Sequence, residues 1–549
     1  MATHISKIKT TRAEEKSLRA LSPFEIKNQL IALAEEHAQK SAAALLNAGR
    51  GNPNWIATVP REAFFLAGQF GLEECRRNMD VDGILAGIVQ EKEGVSKRFE
   101  AFIDKNKSLP GAVLLQQAFR YGVDKHKFDP DAWIREWIEA VIGFNYPVPD
   151  RMLSQIEKVV HDYLLQEMCG TTESKGNYDL FAVEGGTAAM CYIFDSLMQN
   201  YLVKKGDKIA LLTPTFTPYV EIPELDRYAF DVVYIQASST GDKGFHTWQY
   251  PDAELDKLKD PAVKIAFVVN PSNPPSFAMG SATLDHIAAI VKNDNPGLMI
   301  ITDDVYGTFV NNFRSLMAVL PFNTITVYSF SKYFGCTGWR LGAIAIHEEN
   351  IFDKKIAALS AAQKKDLNKR YGTISLTPES IKFIDRMVAD SRQVALNHTA
   401  GLSLPQQFQM MLFAAFCLLD QKNEYKALTQ SIIQQRLKLL WEGLEVDIPD
   451  DPTRAGYYSE IDVLVAAKFY YGEEFAKWLV ENFDPVDVLF RLAEKTSVVL
   501  LNGGGFAGPE WSIRVSLANL DTDDYLAVGK NIRAILMEYV TAWKEGAQK

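Results

Sequence analysis

The pattern of apolar and polar positions changes character near residue 147. Before it, apolar residues recur at helical spacing, as in Ala112–Tyr121 and Asp131–Ala140. Pro23–Leu46 reads as a further helix, closed by a Gly/Pro/Asn turn at Asn47–Trp55. Beyond Pro147 and Pro149, short apolar runs rich in β-branched residues alternate with helical segments. The runs are Tyr178–Val183, Lys208–Leu212, Asp231–Gln236, Val263–Val269, Leu298–Thr302, Thr324–Tyr328 and Leu341–Ile346. This alternation predicts an α/β fold with a mostly parallel seven-stranded sheet, covered on both faces. Residues 350–395 read as charged helices. After about residue 430, helices alternate with the strand candidates Gly456–Asp462, Ser497–Leu501 and Ser512–Ser516, which predicts a smaller α+β domain. The expected division is an N-terminal segment at 1–60 joining the small domain, a helical insertion at 61–140, a large domain at 141–429 and the small domain at 430–549.

In a parallel sheet of this kind, ligands sit beyond the carboxyl ends of the strands. The residues that follow each run therefore matter most. Tyr328-Ser-Phe-Ser-Lys332 leads into Gly338-Trp-Arg340-Leu-Gly342. A lone strand-end lysine is ordinarily solvated. Here Ser329, Ser331 and Arg340 bracket it, and hydroxyls with a guanidinium are what a phosphate needs. A lysine beside a phosphate site suits covalent attachment of pyridoxal 5'-phosphate.

Val183-Glu-Gly-Gly186-Thr187 ends one strand and opens a helix, so free N–H groups and the positive helix end meet there. Plain turn and cap chemistry gives the same pattern. In Thr302-Asp303-Asp304-Val305-Tyr306 a strand-end carboxylate either caps a helix or keeps a pyridine nitrogen protonated. Asn270-Pro-Ser-Asn273-Pro-Pro275 offers amide donors to a phenolate, or is a structural turn. In Thr213-Pro-Thr-Phe216-Thr-Pro-Tyr219, Phe216 either stacks on a flat ring or belongs to the core. Arg514, inside the apolar run Trp511-Ser-Ile-Arg514-Val, requires a partner, either an internal carboxylate or that of a substrate.

Composition narrows the classes. The 549 residues carry a formal net charge of −11, which argues against non-specific nucleic-acid binding. The five cysteines form no CxxC pair and the eight histidines no HxxxH pair, so no metal site is expected. No run of about 20 apolar residues suggests a membrane span. The N-terminus lacks an apolar signal core. A cytoplasmic protein is expected.

In order as well as motif the chain resembles the fold-type I pyridoxal-phosphate enzymes of the aspartate aminotransferase family. The matching segments are GGT, PTFTPY, NPSNPP, DDVY, SFSK with an arginine eight residues on, and RVSLA, collinear over residues 140–520. The resemblance implies that Lys332 bonds the cofactor. It places the phosphate on Gly186, Thr187, Ser329, Ser331 and Arg340, and the ring nitrogen on Asp303. It places the phenolic oxygen on Asn273 and Tyr306, the stacking ring on Phe216 and the substrate α-carboxylate on Arg514. Tyr146, in GFNYP, matches a tyrosine that reaches the phosphate of the neighbouring subunit.

The chain is longer than ordinary members. Its extra helical material, with NAGRGNPNW at 47–55 and NHTAGLSLPQQFQ at 397–409, is similar to the aspartate 4-decarboxylase subfamily. That implies β-decarboxylation of L-aspartate to L-alanine and CO2, with side aspartate aminotransferase activity. It also implies homodimers with a shared site, assembled into a dodecamer. Arg50 and Gly51 fall in the family's mobile N-terminal substrate loop, and Thr399 matches a position reaching the site from the partner subunit. The alternative is an ordinary aminotransferase of aspartate or a related amino acid. A non-catalytic regulator on this fold would call for a basic DNA-binding module, and the first 60 residues are not basic enough.

Overall fold

The computed structural model describes residues 5, 8–41, 44–77, 85–89, 92–171, 176–241, 244–392 and 401–547. Two helices, α1 (Arg12–Leu18) and α2 (Pro23–Ser41), lead to a short strand β1 (Leu46–Asn47). Helices α3 (Thr58–Arg76), α4 (Val95–Asn106), α5 (Pro110–His126) and α6 (Pro130–Ile142) follow. Their ends follow local chemistry. Asp129 accepts the Ala132 N–H to start α6 with proline in its first turn, and Gly143, at φ 68°, ends it. Their apolar faces meet in an aromatic cluster in which Phe99 lies 5.4 Å from Phe70 and 5.6 Å from Trp137. That cluster continues into α7 (Ser154–Met168) and the helix Leu404–Leu419.

The main sheet has seven strands: β2 (Tyr178–Val183), β3 (Lys208–Thr213), β4 (Asp231–Gln236), β5 (Val263–Val269), β6 (Met299–Asp303), β7 (Thr324–Ser329) and β8 (Gly342–His347). All seven predicted runs enter it, in the order β2-β8-β7-β6-β5-β3-β4. Only β8 runs antiparallel to its neighbours. The carboxyl ends of the other six therefore open on one edge. Val183 and Ser329 lie level there through their common partner Gly342, and Asp303 pairs with both Val269 and Val327.

A second sheet, in the order β11-β12-β9, is formed by β9 (Tyr458–Asp462), β11 (Leu501–Asn502) and β12 (Ser512–Ser516), after the two-residue strand β10 (Val498–Val499). Its core gathers Ile26, Leu30 and Ala34 of α2 with Leu489, Leu492, Tyr525 and Val528. Main-chain bonds tie it to the main sheet's open edge: Ala455 donates to the Ser276 carbonyl at 2.8 Å, and Thr215 to that of Phe506 at 2.9 Å. These bonds hold β9 and β12 over the edge.

Two expectations differ locally. The helix expected over Pro23–Leu46 is α2, which ends at Ser41, and Leu46 instead pairs with Val498 in a parallel strand. Helical periodicity carries no information about a strand partner so distant in sequence. The expected strand Ser497–Leu501 divides. Ser497, at φ 58°, closes the preceding helix, β10 pairs with β1, and β11 pairs with β12. Among the described residues no helix is long and apolar enough to cross a membrane, and no cluster of His, Cys, Asp and Glu could hold a metal.

Candidate active site

Lys332 lies three residues beyond β7 and is half-buried. Its Nζ donates to the Gly51 carbonyl at 3.1 Å, which also accepts the Tyr457 hydroxyl at 2.7 Å. Gly51 must be a glycine for close approach: a Cβ there would stand 2.6 Å from the Tyr458 hydroxyl and 3.4 Å from Lys332 Nζ.

Asp303 ends β6 and is buried. The Tyr219 hydroxyl donates to its Oδ2 at 2.6 Å and the Val305 N–H to its Oδ1 at 3.2 Å. Burial pushes this carboxyl up to about 6, while those two donors and the Lys332 ammonium pull it back. Its neighbour Asp304 receives the Thr302 hydroxyl at 2.6 Å and that of Ser315 instead, and burial pushes it up to about 7. A Cβ on Gly186 would lie 3.6 Å from both Asp303 Oδ2 and the Tyr219 hydroxyl, so the glycine turn borders this pair.

Gly185 takes φ +88° and precedes α8 (Gly186–Gln199). A Cβ on it would come within 2.6 Å of Arg340 Nη2. Arg340 is exposed, at φ 55°, and its Nη2 donates to the Glu184 carbonyl at 3.2 Å. The guanidinium thus stands at the positive end of α8, with Thr187 exposed in the first turn. The Ser329 hydroxyl donates to Ser331 Oγ at 3.1 Å.

Arg514, on β12, is 1% exposed. Its Nη1 donates to Asn273 Oδ1 at 3.2 Å and its Nη2 to the Gly49 carbonyl at 3.1 Å. The guanidinium lies 4.3 Å from the Tyr458 ring centre and 4.8 Å from that of Phe506. Its Nε has no partner, and no carboxylate of the described residues forms an ion pair with it. The internal salt bridge considered as an alternative is therefore not what holds this arginine.

The remaining expected positions are placed as follows. Tyr306 is buried, and its hydroxyl meets that of Tyr458 at 3.0 Å. Asn273 is engaged by Arg514. Phe216 is half-buried and edge-on to Tyr219 at 5.3 Å. Arg50 is exposed beside Gly51, and Tyr146 is 77% exposed. Thr399 lies outside the described residues. The residues missed in the sequence are Gly49, Tyr219, Tyr457 and Tyr458. Tyr219 is present in the PTFTPY segment without an assigned role. The paired tyrosines enter β9 at a predicted strand start, where their side chains give no chemical signal.

Residues 169–530, more than half of the chain, match the family model "Aminotransferase class I and II". The chain is 47% identical over 529 residues to the bifunctional aspartate aminotransferase and L-aspartate beta-decarboxylase of a Pseudomonas species, covering 96% of this chain and 98% of that protein. It is 29% identical over 163 residues to the aspartate aminotransferase of Sulfolobus acidocaldarius, covering 29% of this chain and 38% of that one. A solved structure of a Thermus thermophilus aspartate aminotransferase double mutant superposes with a TM-score of 0.54 at 16% identity, over 96% of this chain and 98% of that one. A Pyrococcus protein superposes at 0.59, also at 16% identity, over 96% and 99%. The α/β architecture, the collinear site and the full-length relative agree, and the chain belongs to the class I and II aminotransferases, a family of pyridoxal 5'-phosphate enzymes.

Proposed function

We propose that this protein converts L-aspartate to L-alanine and CO2 by β-decarboxylation and also transaminates aspartate. The observation that carries the reading is a buried Arg514 without a carboxylate partner, set with Lys332 on two carbonyls of one short turn, Gly49 and Gly51. A near full-length relative bearing both activities in its name supports the choice of substrate.

The residues present fit the cofactor. The glycine turn, the N-terminus of α8, Arg340, Ser329, Ser331 and Thr187 would hold its phosphate. Asp303, Asn273 and Tyr306 would hold its ring, with Phe216 and the Tyr219–Asp303 pair beside it. When bound, pyridoxal 5'-phosphate supplies a carbonyl that captures the substrate amine and a ring that accepts an electron pair. Arg514 binds the α-carboxylate, and its Nε has no hydrogen-bond partner within the described residues. Lys332 Nζ removes the Cα proton and serves again as proton donor. Asp303 keeps the ring nitrogen's proton in place, a role suited to a buried carboxyl already bonded by Tyr219. The β-carboxylate must leave as CO2, so a rigid cation on it would oppose reaction. Arg50, exposed on the turn, would orient it without clamping it.

The reading includes the four-part division of the chain and a cytoplasmic homodimer with a shared site, assembled into a dodecamer. Tyr146 and Thr399 would serve the neighbouring site, and the 77% exposure of Tyr146 leaves it available to a partner. The test is product analysis with aspartate as sole substrate. Alanine and CO2 without added 2-oxo acid support the reading. Turnover only when a 2-oxo acid is supplied identifies an ordinary aminotransferase.

A further inference from the structure

Behind Arg514 lies a second buried ionisable group that the chemistry above does not use. Glu460 of β9 is the direct cross-strand partner of Arg514 on β12. Side chains of such opposed residues share one face of the sheet and lie about 5 Å apart at Cβ. Glu460 is 8% exposed. Its Oε1 accepts the Ser512 hydroxyl at 2.7 Å, and its Oε2 is buried without a partner. Backbone walls it in: Cβ atoms on Gly503 and Gly508 would stand 2.5 and 3.1 Å from Oε1. Yet Glu460 and Arg514 form no ion pair. A buried cation and a buried carboxyl are thus neighbours, each with an unpartnered atom, and they are not joined.

We propose that Glu460 is a positioning residue: as a neutral carboxyl it leaves Arg514 free for a substrate carboxylate, and as a carboxylate it competes for that guanidinium. The inference rests on Arg514 as the carboxylate site. The charged groups that face Glu460 are Arg514 on β12 and Asp462 on its own strand, with His246 bonded behind Asp462 at 2.9 Å. The walls formed by residues 503–508 and Pro214 bring no charge. Burial, reinforced by Asp462, pushes Glu460 up to about 8, while the Ser512 hydroxyl and Arg514 oppose the rise. At neutral pH the carboxyl is therefore protonated and the arginine available. Binding of an anion raises the affinity of Glu460 for its proton, so above about pH 8 binding requires proton uptake and weakens.

The test is calorimetric titration of the holoenzyme with maleate, a non-reacting dicarboxylate, from about pH 7 to about pH 9.5. For the unmodified protein the dissociation constant should be level to about pH 8 and then rise by up to about tenfold per pH unit, with proton uptake visible on changing buffer. Glu460→Gln keeps an acceptor for Ser512 and should lose that share of the rise and of the uptake. The cofactor and every other group are common to both proteins, so the comparison isolates the contribution of Glu460. Equal slopes in the two proteins overturn the proposal, as does a level curve in the unmodified protein. Ser512→Ala removes the donor that favours the carboxylate, so its break should move to higher pH; a break left in place also counts against the proposal. A failure of the Arg514 reading looks different: maleate would then bind Arg514→Met as tightly as the unmodified protein at pH 7.

Discussion

Replacing Arg514 by methionine separates catalysis from folding. The guanidinium donates to Asn273 and Gly49, packs on Tyr458 and Phe506, and neutralises no internal carboxylate of the described residues. A bidentate substrate carboxylate would form two charge-assisted hydrogen bonds, worth about 1.5–3 kcal/mol each. Losing both removes about 3–6 kcal/mol, and each 1.4 kcal/mol is a factor of about ten, so kcat/KM for aspartate should fall about 10²–10⁴-fold. Methionine keeps an apolar stem against both rings. The two lost bonds to Asn273 and Gly49 cost about 1 kcal/mol each, and release of a buried unpaired charge offsets them. The melting temperature should therefore move little. Steady-state kinetics with aspartate, beside a thermal melt, decide the matter. A variant that melts normally and keeps kcat/KM within about tenfold refutes the assignment of Arg514.

Gly185→Ala should weaken cofactor retention about tenfold or more, because the φ of +88° strains a side chain and the new methyl meets Arg340. Equilibrium dialysis of the cofactor checks this, and unchanged affinity would count against the phosphate cradle. Asp303→Asn should lower kcat about 10²–10⁴-fold with the fold intact, since an amide cannot hold the ring nitrogen's proton; near-normal turnover contradicts that role. Glu15 predicts a pH effect on stability. It is 2% exposed, and burial followed by Asp487 pushes it from 4.5 to about 8. The folded chain keeps it neutral while the unfolded chain ionises it, so stability is lost between about pH 4.5 and pH 8 and is level above. Glu15→Gln should melt like the unmodified protein below pH 4.5 and higher at pH 8, and parallel melting profiles would refute this.

The sheet was legible because each of its strands is a compact apolar run, and a residue's position just beyond a strand is visible in the chain. Lys332, Asp303 and the glycine turn stand out as candidates for that reason. What the chain hides is pairing at long range. Leu46 reads as helix until Val498 claims it, and the segment Ser497–Leu501 divides between two partners. The roles of Tyr457 and Tyr458 depend on a turn some 400 residues earlier, reached only when β9 is held over the main sheet's edge. That Arg514 has no carboxylate partner although Glu460 is its cross-strand neighbour likewise appears only with the register of β9 against β12.

The account turns on one covalent anchor. Reducing the holoenzyme with borohydride and mapping the labelled peptide by mass spectrometry tests it most directly. The cofactor's mass should sit on Lys332, in the peptide that follows Tyr328-Ser-Phe-Ser. Label on a different lysine, or none, would contradict the account.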